Sequence, residues 1–131
     1  MNRIAKLASL ATALTLAAGM AFAEPIVGIW QTQEDDGAYA HVKIAPCGGN
    51  FCGTIVKTFK AGAEYKSENL GKQLVRDMAP LGDGAYEGKV WRPSNNKIYL
   101  GKISVSGSKM KLSGCVAGGL ICSKQDWTKL Q

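Results

Sequence analysis

From residue 26 to residue 130 the chain alternates short runs, in which every second residue is apolar, with breaks rich in glycine, asparagine and aspartate. Residues i and i+2 of an extended strand share a face, so each run reads as a strand with one buried side. Within the runs a Gly-x-hydrophobic beat recurs, at Gly28-Ile29-Trp30, Gly53-Thr54-Ile55, Gly88-Lys89-Val90 and Gly101-Lys102-Ile103. Each triplet sets a glycine and a large apolar side chain on the same side. A coiled sheet that closes on itself needs inward glycines, which relieve crowding where strands bend. The beat predicts a small β-barrel.

Strands are expected over residues 26–32, 38–45, 51–59, 85–92, 97–105, 109–116 and 121–130. The breaks between them carry turn chemistry, such as Pro46-Cys47-Gly48-Gly49-Asn50, Pro93-Ser94-Asn95-Asn96 and Ser106-Gly107-Ser108. The fold class is therefore all-β, an up-and-down antiparallel barrel of about 7–8 strands. Residues 60–83 break the rhythm and read as one long loop, with a helical turn near 65–69 and an irregular strand near 73–78. Long loops in compact barrels serve as lids or plugs.

With the glycine face inward, the interior holds Trp30, Val42, Ile44, Ile55, Val90, Tyr99, Ile103, Met110, Leu112, Gln125 and Trp127. Lys89, Trp91, Lys102, Lys109 and Lys111 then face outward. Ile98 and Leu100 also fall outward, and we expect the 60–83 segment to cover them together with Trp91, since an uncovered patch of that size would be unusual.

The ends of the chain refine this picture. Arg3 and Lys6 precede an apolar, alanine-rich run, and Ala21-Phe22-Ala23 supplies a small-x-small cleavage pattern. Residues 1–23 are thus expected to be a signal peptide, and residues 24–131 a single exported domain, periplasmic or secreted, with no membrane span. Removing Arg3 and Lys6 leaves 14 basic against 10 acidic residues, a mild net charge of +4. A chain this short buries only about two-thirds of its unfolded surface, so covalent staples help it. Cys47, Cys52, Cys115 and Cys122 allow three connectivities. We favour Cys47–Cys52 and Cys115–Cys122, because each pair brackets a turn-like segment. Neither Cys-x-x-Cys spacing nor a second histidine beside His41 is present, so no metal site or cofactor is expected.

Candidate chemistry is sparse. Trp30 and Trp127 sit on the first and last strands, neighbours in a closed meander, and are read as a plug at one end of the core. Tyr39, Trp91 and Tyr99 are the candidate ligand-binding residues at the barrel mouth, with the 60–83 segment as lid. Lys89, Lys102, Lys109 and Lys111 form either a solvated face or a basic stripe for an anionic envelope partner. Glu34-Asp35-Asp36 does not reproduce a calcium loop and reads as a solvated turn. His41 is the one candidate base and points outward, and nothing in the spacing of Asp77, Asp83 and Glu87 enforces a carboxylate pair. No catalytic residue, and no enzyme activity, is expected. Nucleic acid is not an expected partner at this charge.

The ordered set Gly28-x-Trp30, Cys47-Gly-Gly-x-Phe-Cys52-Gly53-x-Ile55-Val56, Tyr86-Glu-Gly-Lys-Val90, Arg92-Pro93, Lys97-x-Tyr99-x-Gly-Lys-Ile103, Leu112-x-Gly114-Cys115 and Trp127-Thr128 resembles the small exported bacterial family called domain of unknown function 2147. The resemblance implies export and a lipocalin- or streptavidin-like barrel, and no mechanism. Two function classes stay open. One is a monomeric binding module for a small apolar or amphipathic ligand. The other is an envelope interaction protein, inhibitor-like or structural, that docks a partner through its outer surface. Barrel interior volume discriminates them, because about eight strands enclose a space that side chains can just fill.

Overall fold

The computed structural model describes residues 24–131. The leader expected at residues 1–23 lies outside them. Nine strands follow in order: β1 (Gly28–Gln31), β2 (Ala38–Cys47), β3 (Asn50–Lys60), β4 (Ala63–Tyr65), β5 (Gln73–Gly82), β6 (Ala85–Arg92), β7 (Lys97–Ser106), β8 (Lys109–Val116) and β9 (Ile121–Lys129). Every pairing is antiparallel, and each strand pairs with its chain neighbour except that β5 bypasses β4 to join β3. β9 closes onto β1 through Trp30↔Lys129 and Gln31↔Thr128. Eight strands therefore make a closed up-and-down barrel, and β4 is a three-residue flap on the far end of β3. Closure leaves the main barrel strands without an open edge.

The inward set read from the sequence is the core. Trp30, Val42, Ile44, Ile55, Val90, Ile103, Met110, Leu112 and Trp127 are buried, joined by Ile26, Phe51, Val75, Met78 and Tyr86. Glycine makes room for them. A Cβ on Gly101 would come within 2.6 Å of Cε of Met78, so the missing side chain is what admits that methionine. At Gly88 the neighbour is backbone instead. A Cβ there would stand 2.5 Å from the Asp77 carbonyl oxygen, where β5 bulges and Asp77 takes a φ of 52°.

The two ends of the barrel differ. At one end the chain turns in two residues, at 48–49, 83–84 and 107–108. The chain from Glu24 enters at this tight end: Ile26 is fully buried and its carbonyl accepts a hydrogen bond from Trp30 Nε1 at 2.9 Å. The Tyr86 hydroxyl donates to Glu24 at 2.7 Å. At the other, wide end the connections are longer: 32–37, 61–72, 93–96 and 117–120. Disulfides staple both ends, Cys47–Cys52 across the tight β2–β3 turn and Cys115–Cys122 below the β8–β9 connection.

The 60–83 segment is more regular than its composition suggested. The expected helical turn at 65–69 is replaced by β4 and a turn at 68–71. The irregular strand expected at 73–78 is β5, which runs to Gly82 and shifts register twice against β6. The cover expected over the outer face is only partly there. Lys72 and Arg76 lie 5.5 and 5.9 Å over the Trp91 ring, which is buried. Leu100 instead packs beside Gly119, and Ile98 stays 52% exposed. Strand β5 stops the segment from reaching them, because its backbone is committed to pairing with β3 and β6.

Candidate functional site

Apolar residues on alternate positions fill the tight half of the barrel, while smaller and polar residues take over toward the wide end. Along β2 the inward series Ile44, Val42, Ala40 loses bulk step by step. On β3 a register shift opposite His41 and Val42 brings Thr58, rather than Lys57, inward above Ile55. On β8 the series Met110, Leu112, Gly114 ends without a side chain. The result is a cavity of about 370 Å³ open at the wide end.

Ile55, Leu74, Val90 and Leu112 give the cavity an apolar floor, and Thr58, Ser67, Asn69, Ser123 and Gln125 a polar collar. Several collar groups are already oriented. Thr58 Oγ1 donates to the Tyr65 carbonyl and accepts from the Ser67 backbone N–H at 3.3 Å, which ties the 61–72 connection to the barrel wall. Backbone bonds from Ile55 N–H to Lys72 and from Gly71 N–H to Ile55, both 2.9 Å, anchor the same connection again. Gln125 Oε1 accepts from Trp127 Nε1 at 2.9 Å, leaving the amide NH₂ of Gln125 as a donor beside the cavity.

Tyr39, Trp91 and Tyr99 all border this cavity. Their roles in it differ. Tyr99 shares the inward parity of Val90, its cross-strand partner, and its hydroxyl accepts from Asn95 Nδ2 at 2.7 Å. That bond, with help from Arg92, lowers the Tyr99 pKa. Tyr39 pairs with Phe59 on the outward parity and stacks on its ring at 4.7 Å. Trp91 bonds Asn96 Oδ1 through Nε1 at 2.9 Å and lies under Lys72 and Arg76. Tyr39 and Trp91 thus frame the rim, while the Tyr99 ring packs against the core and its hydroxyl stays at the exposed 93–96 turn. Reading the sequence missed the collar. Its signal was the inward run of small and hydroxylated residues at the wide ends of β2, β3 and β8, masked at Thr58 by the register shift.

The remaining candidates lie elsewhere. Trp30 and Trp127 are buried in the tight-end core. His41 is on the outer wall, its Nε2 3.1 Å from Gln31 Oε1 and its ring 4.7 Å from Phe59. Burial, and then the Lys57 ammonium, lower its pKa. The cavity lining contains no histidine, lysine or cysteine. Among the described residues no three His, Cys, Asp or Glu side chains converge on a metal-sized site, and no helix is long and apolar enough to cross a membrane.

The barrel is similar to a solved structure described as protein HP1028 from the human pathogen Helicobacter pylori, which belongs to the lipocalin family. The two superpose with a TM-score of 0.67 at 17% identity, covering 81% of this chain and 83% of that one. At that identity the likeness establishes a lipocalin-like fold alone. Comparison with curated protein sequences returns no match. Residues 28–129 match the family described as "Uncharacterized protein conserved in bacteria (DUF2147)", and the chain belongs to that family.

Proposed function

We infer that this protein is an exported, non-catalytic binding module that holds a small amphipathic molecule at the wide end of its barrel. The observation that carries the reading is the cavity itself. A barrel of eight strands can be filled by its own side chains, yet here about 370 Å³ is left open above Ile55, Val90 and Leu112. That volume sits at the lower end of the range for small-molecule sites, and its apolar floor with a few polar groups is their usual make-up. The guest's apolar part rests on the floor. Its polar end meets Thr58, Ser123, Gln125 and the Tyr99 hydroxyl at the collar. Trp30 and Trp127 plug the opposite end, and the 61–72 connection forms part of the wall of the mouth.

Gly114 offers a direct test. A Cβ there would meet only ordinary contacts, 3.4 Å from Val90 and 3.6 Å from Tyr99, so Gly114→Leu fills the cavity without forcing the strand. Fluorescence titration with a panel of fatty acids, lysolipids and aromatic metabolites is expected to reveal saturable binding that Gly114→Leu abolishes at unchanged melting temperature. Native mass spectrometry of protein recovered from its producing cells is expected to show a co-purified guest. No saturable response across the panel, or binding indifferent to Gly114→Leu, overturns the reading.

A further inference from the structure

The β8–β9 connection at the wide end is built unlike the others. Leu120 is 87% exposed, Ile121 65% and Val116 47%, on six consecutive residues with no charge. Ile98, 52% exposed, lies on the adjoining strand, where continuing the Leu100↔Cys115 ladder sets it beside Ala117. Scattered exposed aliphatics are ordinary, but four at one corner of the rim, three on the connection and Ile98 on β7 beside it, are not. Ala117, Gly118 and Gly119 all take positive φ (53°, 67° and 94°), and the Cys115–Cys122 disulfide clamps the base of the connection. Leu120 stands at its apex, whereas Val116 and Ile121 continue the parity of Gly114 and Ser123 and lie on the mouth side.

Directly below the tip, the outer face of β7, β8 and β9 is basic. Lys102, Ser113 and Lys124 stand opposite one another in one cross-strand row, and Ser104, Lys111 and Asp126 in the next. Lys102, Ser104, Lys111, Ser113 and Lys124 line a shallow depression of about 180 Å³. Asp126, opposite Lys111, offsets part of that charge. Lys102 and Lys124 flank only a serine. Lys102 Nζ also reaches the Gly119 carbonyl at 3.4 Å, joining the basic row to the apolar tip. The acidic turn Glu34-Asp35-Asp36 belongs to the β1–β2 connection next around the rim, so a negative surface would approach from the β7–β9 side rather than end-on.

We propose that this face docks on an anionic phospholipid surface, with Leu120 and the outward Ile98 entering the interfacial layer and Lys102 and Lys124 meeting lipid phosphates. Apolar side chains beside lysines at one level is the pattern by which peripheral proteins hold such surfaces. A protein partner would explain the apolar tip, but not the exposed lysine row set beneath it. The inference stands independently of the cavity, although it would bring the cavity mouth to a source of amphipathic guests.

Vesicle co-sedimentation tests it on the protein carrying both disulfides. Mixed phosphatidylglycerol–phosphatidylcholine vesicles should bind the protein, and pure phosphatidylcholine vesicles should bind it far more weakly. Leu120→Ser combined with Ile98→Ser should weaken binding by roughly tenfold or more. Lys102→Gln combined with Lys124→Gln should weaken it on the order of twentyfold, about fivefold per lysine. These side chains are exposed, so melting temperatures should not move. Leu81→Ser and Lys89→Gln, on the β5–β6 side, should bind as the parent does. Inorganic phosphate should compete no better than chloride at matched ionic strength. Three results overturn the proposal: no sedimentation, which leaves a protein as the occupant of the tip; equal losses in the Leu81 and Lys89 controls; or full displacement by inorganic phosphate, which marks a free-anion site.

Discussion

Trp30 is one of the two large aromatic side chains packed into the tight end. It is fully buried, its Nε1 is satisfied by Ile26, and the Lys129 ammonium lies 5.6 Å over its ring. Truncating Trp30→Ala is expected to lower unfolding free energy by about 3–5 kcal/mol in denaturant titrations, the cost of a large core deletion. An unchanged midpoint would remove Trp30 from the proposed plug. His41 gives a second expectation, in pH. Its folded pKa lies below the ordinary 6.5, through burial first and the Lys57 ammonium second. The unfolded chain therefore binds the proton more readily, so this contribution to stability is fully present above about pH 6.5. It is lost as pH falls through that value toward the lower folded pKa. His41→Gln should flatten that part of the stability–pH curve, and an identical curve in the variant would assign the slope to other groups. Tyr39, Trp91 and Tyr99 were legible as rim aromatics because strand parity and turn position place them there. That two of the three engage partners outside the cavity, Phe59 and the Lys72–Arg76 pair, was not legible, since those partners come from other strands.

Among the elements, β6 and β8 have the bounds read from alternation alone, 85–92 and 109–116. Both alternate over most of their length, where period-two patterning is strongest, with outward Trp91, Ser113 and Cys115 the buried exceptions. β5 shows the opposite case. Its bulge at Asp77 and second shift near Pro80 break the period, so a ten-residue strand reads as a loop with an irregular patch. The disulfide pairing was legible because both short connections are turns. The consequence of that pairing for β8 and β9 was not: beyond the Cys115–Cys122 clamp the connection leaves Leu120 and Ile121 exposed at the rim.

At the scale of the whole molecule, the asymmetry between two-residue turns at one end and longer connections at the other gives the barrel a packed half and an open half. Cavity, collar and apolar tip all gather at the open half. Two disulfides in so short a chain fit an oxidising compartment. Export with cleavage after Ala23 predicts an intact mass for the secreted protein equal to residues 24–131 less four hydrogens. A retained leader or free thiols in that measurement would contradict it.

Side-chain parity is local, and so the Gly-x-hydrophobic beat, the turn residues and the cysteine spacing were enough to determine a closed antiparallel barrel, its inward face and its staples. Whether that inward face is filled is not local. It depends on how residues from several strands meet: Gly101 admitting Met78 at one level, Gly114 standing against Val90 and Tyr99 at another. The register shift between β2 and β3 adds Thr58 to the inward set. Strand order and bulges decide such meetings, so the cavity, its collar and the place of Lys124 beside the outward Lys102 and Lys111 became visible only in the tertiary structure.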